Sequence, residues 1–226
     1  MSTLDGPRLA AQSGQTRQLV VFLHGYGANG DDLIEIGKEW QRWLPDAAFV
    51  SPHAPDYLPG TPMGRQWFPL TFRDPRERWT GVNDAQPKLT AFLEAELASH
   101  GLGADRLALV GFSQGTMMAL HVGLRGGLSP AAILGYSGML VAPPAGESAP
   151  PIPASARKSS ILLVHGGADE VIPFDAMFMS AELLAKEEIP AQWHLSPRLG
   201  HGIDGGGLRH GGLFLASAFG LPFPDA

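Results

Sequence analysis

The chain has 226 residues, 44% apolar and 17% charged, which is enough for one sizeable hydrophobic core in an α/β chain. Its net charge of −6 is spread without long like-charged blocks and excludes the basic face that nucleic-acid binding requires. The absence of cysteine excludes disulfides, thiolate metal sites and cysteine nucleophiles together.

In chain order, MSTLDGPRLAAQSGQTRQ has no apolar core of signal-peptide length and carries Asp5 early. Residues 1–16 are therefore expected as an N-terminal extension or an edge strand, without an export signal. No segment approaches the roughly 20 apolar residues a spanning helix needs. A cytoplasmic setting without stable membrane insertion is the expectation. Leu19 to Leu23 read as a first buried strand. Asn29-Gly30-Asp31 signals a helix start, and Leu33, Ile36, Trp40, Trp43 and Leu44 follow on one helical face. Ala47 to Val50 form a second strand. Residues 52–82 are rich in proline and glycine, yet hold Tyr57, Trp67, Phe68, Phe72 and Trp79. A packed excursion walling a pocket is expected there.

Leu89, Phe92, Leu93 and Leu97 form a second helical stripe, starting after a cap at Asn83. A strand follows at Leu107 to Val110, then a helix from Gln114 to Arg125 that stops at Gly126-Gly127. Strands are also expected at Ala131 to Gly135 and Ile161 to Val164, with a weaker one at Ala191 to Leu195. Residues 142–158, rich in Pro, Ala and Ser, read as an exposed loop. Met177, Phe178, Ala181, Leu184 and Ala185 mark another helix, and about Gly207 to Phe219 the last. Short apolar strands without polar alternation, separated by amphipathic helices, predict one α/β domain over 1–226. Its sheet should be doubly wound, mostly parallel and covered by helices on both faces. Chemistry is then sought at the carboxyl ends of the strands.

At one such end, Gly111-Phe112-Ser113-Gln114-Gly115 fits G-x-S-x-G between a strand and a helix, the context of a nucleophile elbow. The bland alternative is a turn serine capping the helix through its side chain. A serine hydroxyl becomes a nucleophile only beside a base that an acid orients. Asp169 lies in the loop after the strand at Ile161 to Val164, with Glu170 and Asp175 as alternative acids. His201, between two glycines, follows the strand at Ala191 to Leu195. The order Ser, Asp, His is the one this architecture uses. His24 and His165 read as structural imidazoles, and His210 as structural or on the surface. An oxyanion hole would use the backbone N–H of Gln114 and one from His24-Gly25-Tyr26-Gly27, most simply that of Tyr26. There is no H-E-x-x-H and no tight His/Asp cluster, so no metal is expected. Gly205-Gly206-Gly207 and Gly211-Gly212 continue into no phosphate-cradling signature, so no cofactor is expected either.

Four stretches in order resemble the carboxylesterase/lysophospholipase family of α/β-hydrolases, which includes acyl-protein thioesterases. They are Phe22-Leu23-His24-Gly25-Tyr26-Gly27, the Ser113 pentapeptide, His165-Gly166-Gly167-Ala168-Asp169 with Val171-Ile172-Pro173, and Gly200-His201-Gly202. The resemblance spans about residues 17–220. It implies an α/β-hydrolase fold without a large separate lid domain and hydrolysis of carboxyl esters or thioesters. By motif position it implies Ser113 as nucleophile, Asp169 as acid, His201 as base, and Tyr26 and Gln114 as oxyanion amides. A homodimer is a further expectation it raises. Gln66-Trp67-Phe68 resembles the family's tryptophan-bearing stretch near the site. Trp67, Phe68, Met117 and Met63 are the candidates for acyl contact. Tyr26 stands where the eukaryotic thioesterases have leucine, so a different pocket is expected beside the acyl group. The expected substrate is a small-molecule carboxyl ester of short to medium acyl length. A lysophospholipase or acyl-protein thioesterase is the alternative, and a non-catalytic binding module the alternative of another class.

Overall fold

The computed structural model describes residues 4–71, 74 and 76–222. In chain order the strands and helices are β1 (Arg8–Leu9), β2 (Gln18–Leu23), α1 (Asp31–Trp40), β3 (Ala47–Val50), β4 (Asp56–Tyr57), β5 (Arg65–Gln66) and α2 (Arg76–His100). They continue with β6 (Leu107–Phe112), α3 (Gln114–Arg125), β7 (Ala132–Tyr136), β8 (Ser160–Gly166), α4 (Asp175–Lys186), β9 (Ala191–Ser196) and α5 (Gly205–Ala218). Seven strands form the main sheet in the order β1-β3-β2-β6-β7-β8-β9. All neighbours are parallel except β1, which runs antiparallel to β3 along one edge. β4 and β5 pair as a separate small hairpin.

The inner strands are buried on both faces, and their side chains alternate between two cores as the pleat requires. Leu19, Val21, Leu23, Leu107, Leu109, Ile133 and Leu163 pack with α2, α3 and α4. Val20, Phe22, Val110, Leu134, Leu162 and Val164 pack on the opposite face with α1 and α5. Burying one such side chain stabilises by roughly 1.5–3 kcal/mol, so the two continuous clusters hold the sheet rigid beneath its carboxyl edge. The indole N–H of Trp40 donates to the carbonyl of Leu208 (3.0 Å), tying α1 to α5. Gly211 and Gly212 of α5 serve this packing. A Cβ at Gly211 would lie 2.1 Å from the Tyr136 hydroxyl, and one at Gly212 would lie 2.3 Å from the Trp43 ring.

Three sequence expectations change in detail. The helix expected after Asn83 begins seven residues earlier, at Arg76. Asp74 Oδ1 accepts from the Arg76 amide at 2.9 Å, and Asn83 lies inside the helix with its amide nitrogen on the Trp79 carbonyl. The tail of the 52–82 excursion is thus the first turns of α2, and Phe72 lies outside the described residues. The loop at 142–158 is mostly exposed but anchored by buried Ile152 and Ala156, the latter in a 3-10 turn at Ala156–Lys158.

Candidate active site

Ser113 sits between β6 and α3 with φ 56° and ψ −115°, a conformation that side chains other than glycine rarely adopt and that marks a sharp strand-to-helix turn. Its amide donates to the Tyr136 carbonyl on β7 at 2.9 Å, and its own carbonyl accepts from Thr116 and Met117. The side chain makes no capping bond to α3, so the helix-cap alternative does not describe this serine. The turn depends on Gly115, where a Cβ would lie 1.8 Å from the Leu23 carbonyl oxygen and 2.7 Å from that of His24. That close approach sets the elbow directly against the end of β2, where the His24–Tyr26 loop begins. Gln114 is the first residue of α3, so its backbone N–H lies outside the helix's own hydrogen bonding.

Asp169 lies beyond the end of β8 with its side chain fully buried. Its Oδ1 accepts from the amides of Val171 and Ile172, each at 2.9 Å. Its Oδ2 accepts from His201 Nδ1 at 2.8 Å, and His165 Nε2 lies 3.2 Å away. Burial works to raise the carboxyl pKa, but the bonds from His201 and from the Ile172 and Val171 amides outweigh it and hold it below the usual carboxylate range. Glu170 and Asp175, the alternative acids, are both exposed. The His201 side chain is 19% exposed, and its ring lies 4.9 Å from that of Phe112, next to Ser113. With Nδ1–H donating to the carboxylate, Nε2 is left as the basic nitrogen. The Ser137 hydroxyl donates to the Gly202 carbonyl at 3.2 Å from a backbone held at φ 44°.

The other two histidines at strand ends are structural, as their sequence positions suggest. His24 Nε2 accepts from the Ala54 amide (2.9 Å) while Nδ1 donates to the Gly25 carbonyl (2.8 Å). Burial lowers its pKa to about 4, so the ring is neutral. His165 Nε2–H donates to the Ile172 carbonyl at 2.8 Å, closing the acid loop on itself.

The acyl-contact candidates separate by exposure. Trp67 and Phe68 are each 2% exposed and Met117 is 3% exposed, whereas Met63 is 68% exposed. The Trp67 indole N–H donates to the His24 carbonyl at 2.9 Å. The Gln114 carboxamide, which sequence reasoning did not single out, accepts from the Trp67 amide at 2.9 Å and donates to the Phe68 carbonyl at 2.8 Å. Gln66-Trp67-Phe68 was the stretch that could have pointed to this contact. Among the described residues, no group of three or more His, Asp or Glu is arranged to hold a metal ion.

A parallel sheet flanked by helices, with a strained serine at the end of β6 and an Asp–His pair on loops beyond β8 and β9, defines an α/β-hydrolase. Residues 4–217 match the model of the phospholipase/carboxylesterase family. The chain belongs to that family and is an enzyme, a carboxylic ester hydrolase. It is 30% identical to esterase YpfH of Escherichia coli over 83% of this chain and 77% of that protein. It is 28% identical to acyl-protein thioesterase 1 of Gibberella zeae over 86% of this chain and 88% of the other. The crystal structure of esterase PE8 superposes with a TM-score of 0.85 at 39% identity, covering 96% of this chain and all of that one.

Proposed function

We propose that Ser113, His201 and Asp169 hydrolyse short- to medium-chain carboxyl esters of small molecules through an acyl-enzyme. The observation that carries this reading is the 2.8 Å bond from His201 Nδ1 to buried Asp169. It leaves Nε2 of a partly exposed imidazole beside the turn that holds Ser113. His201 Nε2 takes the hydroxyl proton as Oγ attacks the acyl carbon, and Asp169 stabilises the imidazolium. The oxyanion is held by the backbone N–H groups of Tyr26 and Gln114. Collapse of the tetrahedral intermediate expels the alcohol, which takes the proton from His201. Water then attacks the acyl-enzyme with His201 as base, returning the Ser113 hydroxyl and releasing the acid.

Ser113→Ala should abolish p-nitrophenyl ester turnover while the fold persists, and a fluorophosphonate should form a single adduct on Ser113 that His201→Ala prevents. Wild-type turnover in Ser113→Ala sinks the assignment. A folded wild-type protein that takes no adduct would favour a binding module instead. Among acyl contacts we assign Met63, the exposed candidate, to the mouth of the site, with Trp67, Phe68 and Met117 beneath it. A chain-length series of esters and thioesters separates this reading from a lysophospholipase or an acyl-protein thioesterase. In the same reading the chain is one domain over 1–226 in a cytoplasmic setting. A homodimer would be sought at exposed Val171, Met179 and Trp193, with sedimentation velocity as its test.

A further inference from the structure

Oxyanion stabilisation requires two N–H donors about 2.7–3.1 Å from one point, fixed before the charge develops. The two amides assigned that task share no covalent frame: Gln114 begins α3, whereas Tyr26 lies in the loop between β2 and α1. Both are nevertheless attached to the same four residues, 65–68. On one side, the Gln114 carboxamide bonds the main chain of consecutive residues, accepting from Trp67 N–H at 2.9 Å and donating to the Phe68 carbonyl at 2.8 Å. On the other side, the Trp67 indole N–H donates to the His24 carbonyl at 2.9 Å. The Gly27 amide donates to the Arg65 carbonyl at 2.9 Å, and the Arg65 amide to the Ala28 carbonyl at 2.8 Å. Tyr26 is therefore held from both flanks.

A buried carboxamide costs free energy unless both of its ends are bonded, and here both are. Gln114 and Trp67 are almost fully buried, so water does not compete for these bonds. Main-chain bonding by a side chain at both ends gives Gln114 one orientation and fixes the start of α3 against 67–68.

We infer that the Gln114 side chain and the Trp67 indole are positioning residues for catalysis, and that segment 65–68 is the brace that sets the separation of the two oxyanion amides. The inference rests on the assignment of Ser113 as nucleophile with those amides as its oxyanion hole. Gln114→Met keeps the backbone N–H and the length of the side chain but removes both carboxamide bonds. Trp67→Phe removes the indole N–H together with part of the ring volume, and acts on the opposite amide.

Each variant should lower kcat for a p-nitrophenyl ester by about ten- to a hundred-fold while KM stays within about threefold. The affinity for a trifluoromethyl ketone, whose adduct carries the oxyanion, should fall by the same factor as kcat/KM. The double variant should lose less than the product of the single losses, because both disturb one brace. A purely stabilising role predicts instead a lower Tm with kcat and ketone affinity unchanged, and that result overturns the inference. So does a kcat loss without a loss of ketone affinity. If Gln114→Met fails to fold, Trp67→Phe alone decides. An inactive Ser113→Ala beside two brace variants with wild-type kcat rejects the brace and leaves the nucleophile standing. An active Ser113→Ala rejects the nucleophile itself.

Discussion

Asp169 Oδ2 and His201 Nδ1 lie 2.8 Å apart, and the same carboxylate accepts two main-chain amides on its other oxygen. The Asp169 carboxylate is therefore fixed by its own loop as well as by His201. Asp169→Asn keeps the shape but presents a group that no longer stabilises an imidazolium or selects the Nδ1–H tautomer. We expect kcat to fall by roughly 10³–10⁴-fold, with the fluorophosphonate labelling rate falling in parallel. Because the native carboxyl titrates below its usual range, its contribution to stability is complete above the unfolded carboxyl pKa. That contribution is lost only as pH falls through the depressed native value. A variant losing less than tenfold in kcat would place the acid elsewhere.

Two other buried groups govern stability at milder acidity. Burial lowers the pKa of His121, like that of His24, from the usual 6.5 to about 4. A base with a depressed native pKa stabilises the fold above the unfolded pKa, and that stability is lost as pH falls from about 6.5 towards about 4. Between pH 7.5 and pH 5 each imidazole should cost about 2 kcal/mol of unfolding free energy. Among the described residues, neither ring nitrogen of His121 has a hydrogen-bond partner. His121→Leu should therefore lower the acid-induced loss by about 2 kcal/mol without destabilising the protein at pH 7.5. Urea unfolding at the two pH values measures this. An unchanged pH difference would mean that His121 charges without penalty.

The elbow glycine and the first glycine of α5 make an opposed pair. A Cβ at Gly115 meets main-chain carbonyls of Leu23 and His24, which cannot swing aside, whereas one at Gly205 meets nothing within 4 Å. Gly115→Ala should destabilise by more than about 2 kcal/mol, since β2 and the elbow must separate. Gly205→Ala should be neutral or stabilising by about 0.4–1 kcal/mol, through a less mobile unfolded chain. Thermal unfolding of both variants is the check, and equal melting temperatures would contradict the packing described here.

The inner strands were legible because burial on both faces writes them as continuous apolar runs, as in Leu19–Val20–Val21–Phe22–Leu23. β9 was faint for the complementary reason. It is the sheet edge, and its Gln192 and Trp193 are exposed. The first turns of α2 were hidden because Gly81 reads as a breaker, yet it lets the helix approach Phe68, whose ring would lie 2.3 Å from an added Cβ. Ser113, Asp169 and His201 stood out because each follows a strand end and is flanked by turn residues. The Gln114 brace was invisible for a different reason. Its partners are main-chain groups 46 and 47 residues away, and a main-chain group of any residue type can make such a bond.

The exposed side of the brace bears on substrate choice. Met63 lies just before β5, and its carbonyl accepts from the Asn29 side chain at 3.5 Å, so the residue stands beside the loop between β2 and α1. Next to it, the Gly64 carbonyl accepts from the Leu58 amide and the Arg65 guanidinium lies 3.6 Å from the Tyr57 ring centroid. The backbone here is fixed while the Met63 side chain remains open to solvent. An acyl chain leaving the nucleophile toward this loop would cover that side chain, at about 0.8 kcal/mol per methylene newly buried. Met63→Ser should therefore raise KM for an octanoyl ester about three- to tenfold, leave the acetyl ester unchanged, and shift Tm little because the side chain is mostly exposed. A uniform effect across chain lengths would mean that the acyl group takes another route. Met117, whose amide donates to the Ser113 carbonyl, would then be the place to search for it.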